Sequence, residues 1–177
     1  MSYQILQPNL DTALRIGVSE FDMLVIQSNV ASSYSSNGRI EEAIEIHRKV
    51  YSGRSKLLGE EHCQSLTSAC NLASGLIRLQ RFKEAKALYR KVVPVARRTL
   101  GDSHDLTLRM RRNYAGGLYG DDGATLDDLR ESVTTFEEIE RIAHRALGSA
   151  HPLTKTFGRQ LQKARAALRA REETGGA

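Results

Sequence analysis

The sequence predicts an all-α chain, an array of antiparallel helix pairs, and three observations carry that expectation. A Leu-Gly or Ile-Gly step returns at Ile16-Gly17, Leu58-Gly59, Leu100-Gly101 and Leu147-Gly148, at spacings of 42, 42 and 47 residues. The same register repeats inside the units, as Asn29-Val30-Ala31, Asn71-Leu72-Ala73 and Asn113-Tyr114-Ala115. Apolar residues in each unit fall three and four apart, the period of a helix buried along one side.

Two helices per unit follow. In the second unit Leu66, Ala69, Ala73 and Leu76 form one stripe, and Phe82, Ala85, Tyr89, Val92, Ala96 and Leu100 form the other. Only Gln80 and Arg81 separate them, and Asn37-Gly38 stands at the matching turn of the first unit, so the helices must fold back antiparallel. Gly59, Gly101 and Gly148 supply the turns between pairs, as helix-ending residues that accept a left-handed backbone. The expected helices are 20–36, 39–58, 62–79, 82–100, 104–119, 126–147 and 151–172, with a short one near 9–16. Ala31, Ala73 and Ala115, with Ala43 and Ala85, let neighbouring helices approach, and Ser132 takes that place in the third unit. Pro94 lies inside its helix, where its missing N–H should kink the rod.

The resulting plan is an N-terminal flanking helix in 1–16, repeats at 17–58, 59–100 and 101–147, a capping helix at 148–172 and a flexible tail at 173–177. The third repeat carries five extra residues near 120–125. In the last helix Leu153, Phe157, Leu161, Ala164 and Leu168 make one apolar stripe, while Gln162 and Arg165 stand where Ala115 and Leu118 stand earlier. A polar outer side is how repeat arrays cap themselves, so the array is expected to end there.

Net charge is +5, and its location says more than its size. Lys155, Arg159, Lys163, Arg165, Arg169 and Arg171 face only Glu172 and Glu173 in the last thirty residues, which hold four of the five net charges. No apolar run approaches the roughly 18 to 20 residues of a membrane span, and the start MSYQILQPNLD lacks the basic-then-apolar layout of a signal peptide. The expected address is therefore cytoplasmic, with no membrane partner. Cys63 and Cys70 lie seven apart on one helix, too far for a bridge, and read as reduced thiols.

The run LGEEHCQSLTSACNLASGLIRLQRFKEAKALYRKV, followed by LGDSHDLTL and LGSAHPLT, resembles tetratricopeptide repeats of the 42-residue type found in kinesin light chains, over roughly Gly17 to Leu168. Glu20 departs from the pattern where the other units have His62, His104 and His151, and only His151 is followed by proline. The resemblance implies a right-handed superhelical array, a tetratricopeptide-like α-solenoid. It also implies that the first helix of each pair lines a concave groove for peptide ligands.

Register then picks out the side chains that face such a groove, because residues two before and one after the small alanine point away from the partner stripe. Asn29, Asn71 and Asn113 form a column that Gln160 continues. Amides offer both donor and acceptor to an extended backbone. Around them fall Ser28, Ser32, Ser74, Arg78, Arg109, Arg112, Arg159 and Lys163, more basic toward the C-terminus, which suits a peptide with acidic residues. The bland alternative is that the asparagines bond neighbouring helix backbone and the face is idle.

Other chemistry finds little support. His62, His104 and His151 occupy equivalent places on helices that stack roughly 8–10 Å apart, whereas zinc needs donors within about 2 Å of one ion. They suit helix starts. His47 takes the position of Tyr89 and Phe136 and reads as a half-buried core residue. The insert YGDDGATLDD lacks the alternating ligand pattern of a calcium loop. It suits a turn, with Thr125 capping and Asp127 and Asp128 in the first helical turn. There is no Gly-rich phosphate loop, nucleophile elbow or His-Glu-x-x-His. No enzyme, metal, cofactor or small-molecule substrate is expected. The leading reading is a scaffold that binds other proteins or peptides. Nucleic acid on the basic terminal helix, or a structural and oligomerising role through Ile5, Leu6 and Leu10, are the alternatives, and the oligomeric state stays open.

Overall fold

The recurring Gly-x-x-His spacing builds the same turn three times. In the computed structural model, which describes residues 17–175, Gly59, Gly101 and Gly148 each end a helix, with φ and ψ of 92° and 160° at Gly101 and nearly the same values at the other two. This is not the compact left-handed conformation expected at such caps but a more extended one that essentially only glycine adopts. Each glycine N–H still donates to the carbonyl four residues back, and its own carbonyl accepts from His62, His104 or His151 at 3.4 Å. The histidine then starts the next helix. Its Nδ1 accepts the backbone N–H two residues on, at 3.2 Å in all three cases (from Gln64, Leu106 and Leu153). An accepting Nδ1 carries no proton, so the hydrogen of the neutral ring sits on Nε2. At Glu20, where the pattern lacks histidine, Ser19 is the cap and accepts from Asp22 N at 3.0 Å.

These turns separate seven helices among the described residues: α1 (Glu20–Ser36), α2 (Ile40–Leu58), α3 (Cys63–Arg78), α4 (Phe82–Leu100), α5 (Asp105–Tyr119), α6 (Leu126–Leu147) and α7 (Pro152–Gly175). Each lies within a residue or so of its expected bounds except the last. Helix α7 runs to Gly175, so residues 173–175, expected in a flexible tail, continue the helix. The Arg130–Glu172 ion pair at 3.5 Å and the contacts of Arg171 tie its last turns down. The expected helix near 9–16, and the flanking segment 1–16 with it, lie outside the described residues.

Within the first two pairs the turn is tight and uncapped. Helices α2 and α4 start without a side-chain cap, but Arg39 pairs with Glu42 at 2.9 Å and Arg81 with Glu84 at 2.6 Å, equivalent residues one repeat apart. Gly38 takes φ of +81° there, and Gln80 holds the matching position at +57°, where an L side chain is disfavoured. Pro94 sits within an unbroken α4.

The chain divides into two compact units, residues 1–75 and 76–177. In the first, α1 packs on α2 through Met23, Leu24 and Ala31 against Ile40, Ala43, Ile44 and Val50, all buried. Small residues set the approach: a Cβ on Gly53 would lie 2.7 Å from Leu24, and one on Gly75 2.9 Å from Ile44. His47 is buried more completely than expected, with Nδ1 unpartnered. Arg54 is only 6% exposed and donates from Nη1 to Ser68 Oγ at 3.0 Å. The equivalent positions later in the chain hold Ala96 with Met110 and Ala143 with Phe157, so a long residue facing a small one replaces a small residue facing a large one.

In the second unit α5 packs against α4, α6 and α7. Leu108, Ala115, Phe136, Ile139, Ala143, Phe157, Leu161 and Ala164 form one buried cluster. Ser132 justifies its small slot by donating to Ala115 O at 2.7 Å. Tyr89 and Phe136, the equivalents of His47, are fully buried. Leu153, expected in the apolar stripe, stays 36% exposed, because it lies in the first turn of α7 and no described helix follows to cover it. No described helix is long and apolar enough to cross a membrane.

Two stability predictions follow from these contacts. His104→Ala should lower unfolding stability by about 1 kcal/mol, whereas His104→Asn, which restores a capping acceptor, should recover most of it. Equal losses in a urea titration would remove the histidine cap from the account. Burial, and then the positive charge of Arg54, lower the pKa of His47 in the fold. The folded state therefore binds protons less readily than the unfolded one, so stability is full above about pH 6.5 and falls as the pH drops below it. His47→Phe, the residue used at Phe136, should shrink the loss of thermal midpoint between pH 7.5 and 5.5.

Candidate functional site

The amide column starts from helix register. In the first unit Asn29 is exposed on α1 and Asn71 half-buried on α3. The nearby serines turn back on their own helices: Ser32 Oγ donates to Ser28 O at 2.9 Å, and Ser74 Oγ to Cys70 O at 2.7 Å. No basic residue stands at the equivalent positions here, which hold Thr67 and Cys70.

In the second unit the same face is cationic. Helices α5 and α7 pack against each other, and a shift of 47 residues relates them, pairing Arg109 with Thr156, Arg112 with Arg159, Asn113 with Gln160 and Gly116 with Lys163. Arg109, Arg112, Asn113 and Gln160 are half-buried, while Arg159, Lys163 and, at the end of α3, Arg78 are exposed. Asn113 does not present a free carbonyl: its Oδ1 accepts from Arg112 Nη2 at 3.1 Å and Nε at 3.3 Å. The guanidinium is thereby laid along the face. Arg159 donates to Thr156 Oγ1 at 3.3 Å. Arg109 Nε and Gln160 Oε1 are shielded from solvent with no partner. A Cβ on Gly116 would meet nothing within 4 Å, so this glycine is not required by packing and leaves a bare stretch of helix between the basic side chains.

Five other arginines of the unit are held by carboxylates. Arg90 binds Glu131 at 2.7 Å, Arg97 binds Asp102, Arg111 binds Glu138, Arg130 binds Glu172 and Arg165 binds Glu137 at 2.7 Å. Among the described residues Arg109, Arg112, Arg159 and Lys163 pair with no carboxylate. Sequence could place the arginines on helix faces but could not tell which ones had internal partners.

Opposite this face, structural networks absorb the remaining polar groups. Tyr114 donates to Glu131 at 2.7 Å and accepts from Arg90 Nε at 2.9 Å; burial and the Glu131 bond hold its hydroxyl well above the ordinary tyrosine range. Lys86 pairs with Asp128, which also closes a capping box with Thr125. The insert 120–125 is fastened rather than loose. Asp121 Oδ1 accepts from Gly123 N at 2.9 Å, and the Arg171 guanidinium donates to the carbonyls of Asp122 and Ala124, both at 2.8 Å. Arg171→Ala should therefore raise amide exchange across residues 122–126 several-fold while leaving α4 protection unchanged; unchanged exchange in the insert would remove the clamp.

With this geometry in place, comparison with known proteins adds an independent line. Two tetratricopeptide-repeat family models match the chain, one over residues 24–62 and one over 64–121. No curated protein matches the sequence. Two crystal structures of a Podosopora anserina protein assigned as a kinesin light chain, with nearly identical TPR-like repeats, are similar at 26% identity. They cover 94% of this chain and 77% of their own, with TM-scores of 0.77 and 0.75. The structure of BtubC (BKLC) from P. vanneervenii shares the fold at 19% identity and a TM-score of 0.65, over 90% of this chain and 67% of that one.

Proposed function

The chain belongs to the tetratricopeptide-repeat family in its kinesin-light-chain-like form, an all-α solenoid class whose repeats generally mediate protein–protein interaction, and we propose that it is a scaffold binding an extended acidic peptide. The observation that carries this reading is the set of four cations on α5 and α7 without carboxylate partners, clustered around the Asn113 and Gln160 amides, in a unit where Arg90, Arg97, Arg111, Arg130 and Arg165 are each held by a carboxylate. An exposed face that holds guanidinium and amide groups side by side offers charge-assisted bonds to carboxylates and ordinary ones to peptide backbone. Arg112, fixed by Asn113, would lose little rotamer freedom on binding.

The role proposed is binding rather than catalysis. The basic terminal helix is a weaker nucleic-acid reading, because Arg165 and Arg171 are committed to Glu137 and to the insert. Reduced Cys63 and Cys70, one exposed and one buried, suit a reducing compartment, and the cytoplasm is the proposed address.

The test is fluorescence anisotropy with a labelled ten-residue peptide carrying four glutamates. Arg112→Glu and Arg159→Glu should each weaken binding tenfold or more, about 1.4 kcal/mol. Asn113→Ala should cost less, and raised salt should weaken the wild type. Arg130→Glu, off this face, should change nothing. Wild-type affinity in both charge reversals would sink the proposal.

A further inference from the structure

The cationic strip sets a spacing as well as a charge. Between Leu106 and Leu118, only Arg109, Arg112, Asn113 and Gly116 of α5 are not buried, so this helix shows solvent a single strip of positions three and four apart. Helix α7 repeats the strip at the 47-residue shift. Thr107, Met110 and Tyr114 are buried, and so are their matches Thr154, Phe157 and Leu161, which means that matched residues on the two helices face the same way. Arg112 and Arg159 are therefore equivalent points on adjacent helices. Each is braced on its own helix, Arg112 by donating to Asn113 Oδ1 and Arg159 by donating to Thr156 Oγ1.

Nearby carboxylates do not claim this pair. Asp105 opens the strip one turn before Arg109 and, among the described residues, forms no ion pair with it. Glu140 approaches α7 at Gly158, where a Cβ would meet its Oε1 at 2.7 Å. Gly158 matches Arg111, which is turned to Glu138 of α6, so Glu140 lies on the α6 side and not on the strip.

Packed helices lie roughly 8–10 Å apart, so a ligand crossing from α5 to α7 has to present one carboxylate per step of that length. Backbone geometry then selects the ligand. In a β-strand, residues on one face recur at about 6.6 Å and again at about 13 Å, and neither matches. Polyproline II turns once in three residues and advances about 9 Å in doing so, which returns every third side chain to one face at the required step. An α-helix covers about 10.5 Å in seven residues, but its backbone N–H groups are bonded internally. That matters because the amide oxygen of Gln160 is shielded from solvent and has no partner. A polyproline II backbone forms no internal hydrogen bonds, so it offers an N–H to that oxygen, or a carbonyl if the amide is turned over.

We propose, resting on the acidic-peptide reading above, that the α5–α7 face selects a polyproline II segment with acidic residues three positions apart. One carboxylate meets Arg112, the next meets Arg159, and the backbone between them bonds the Gln160 amide.

The test is fluorescence anisotropy on the full chain with labelled peptides of equal net charge, each carrying two glutamates. They stand two, three or four apart in a proline-containing sequence, or seven apart in an alanine-rich helical one. Spacing three should bind about tenfold tighter than spacing two or four, which each lose one charge-assisted contact. Arg112→Gln or Arg159→Gln, on open positions of the strip, should leave weaker binding in which spacings two, three and four are equal. Equal affinities for the wild-type chain, or a preference that survives both substitutions, would overturn the spacing and leave the acidic-peptide reading standing. Tightest binding at spacing seven would overturn it in favour of a helical ligand. A series that does not bind while the four-glutamate peptide still does overturns the spacing alone, and loss of that peptide as well overturns both.

Discussion

The repeat depends on a turn only four residues long. Gly101 ends one helix in an extended, positive-φ conformation, and three residues later His104 starts the next by lending Nδ1 to a backbone N–H. Both groups do what a helix end requires, since each terminus leaves backbone groups without partners inside the helix. Because the turn is the same at Gly59 and Gly148, the direction of each new pair is set locally, before any core forms. Small residues at matched positions then complete the packing. Ala31, Ala73 and Ala115 are all fully buried, and no larger side chain would fit without shifting a helix.

Polar groups inside the fold have two origins. Ser132 and Thr107 donate to helix carbonyls, Thr154 donates to the carbonyl of the turn residue Gly148, and all three belong to the scaffold. Arg111 and Arg54 are different, because each brings a charge inward. Arg111 finds Glu138 and lies 3.7 Å from Asp102, so its burial is matched by carboxylates. Arg54 has a serine. Burial disfavours the charged form of both side chains, and among the described residues only Arg111 has opposing charges close by.

Much of this was legible from residues alone. The 42-residue register located every described helix, because the small alanines, the glycines and the helical period all point to one arrangement. Thr125 and the three histidines were readable as caps since their spacing to the following apolar run is local chemistry. What sequence could not supply depends on partners far along the chain. Arg171 reads as one more solvated charge until its contacts 47 and 49 residues earlier are seen, and Arg165 is tied to Glu137 in the same way. The amide column was legible as positions but not as chemistry, because the nearest claimant of the Asn113 oxygen is the arginine beside it. The glycine caps were anticipated as left-handed residues, and the actual ψ near 160° needed the backbone itself.

That backbone has a stereochemical consequence. A φ near +90° with ψ near 160° lies close to the mirror image of an ordinary extended residue, so these turns are short stretches of inverted handedness in an otherwise right-handed helical chain. An L side chain is excluded there by chirality rather than by crowding, for nothing lies within 4 Å of where its Cβ would sit. A D-residue would meet no such conformational objection. Chemical synthesis could therefore place D-alanine at these turns and restrict the unfolded chain without altering the path of the folded one.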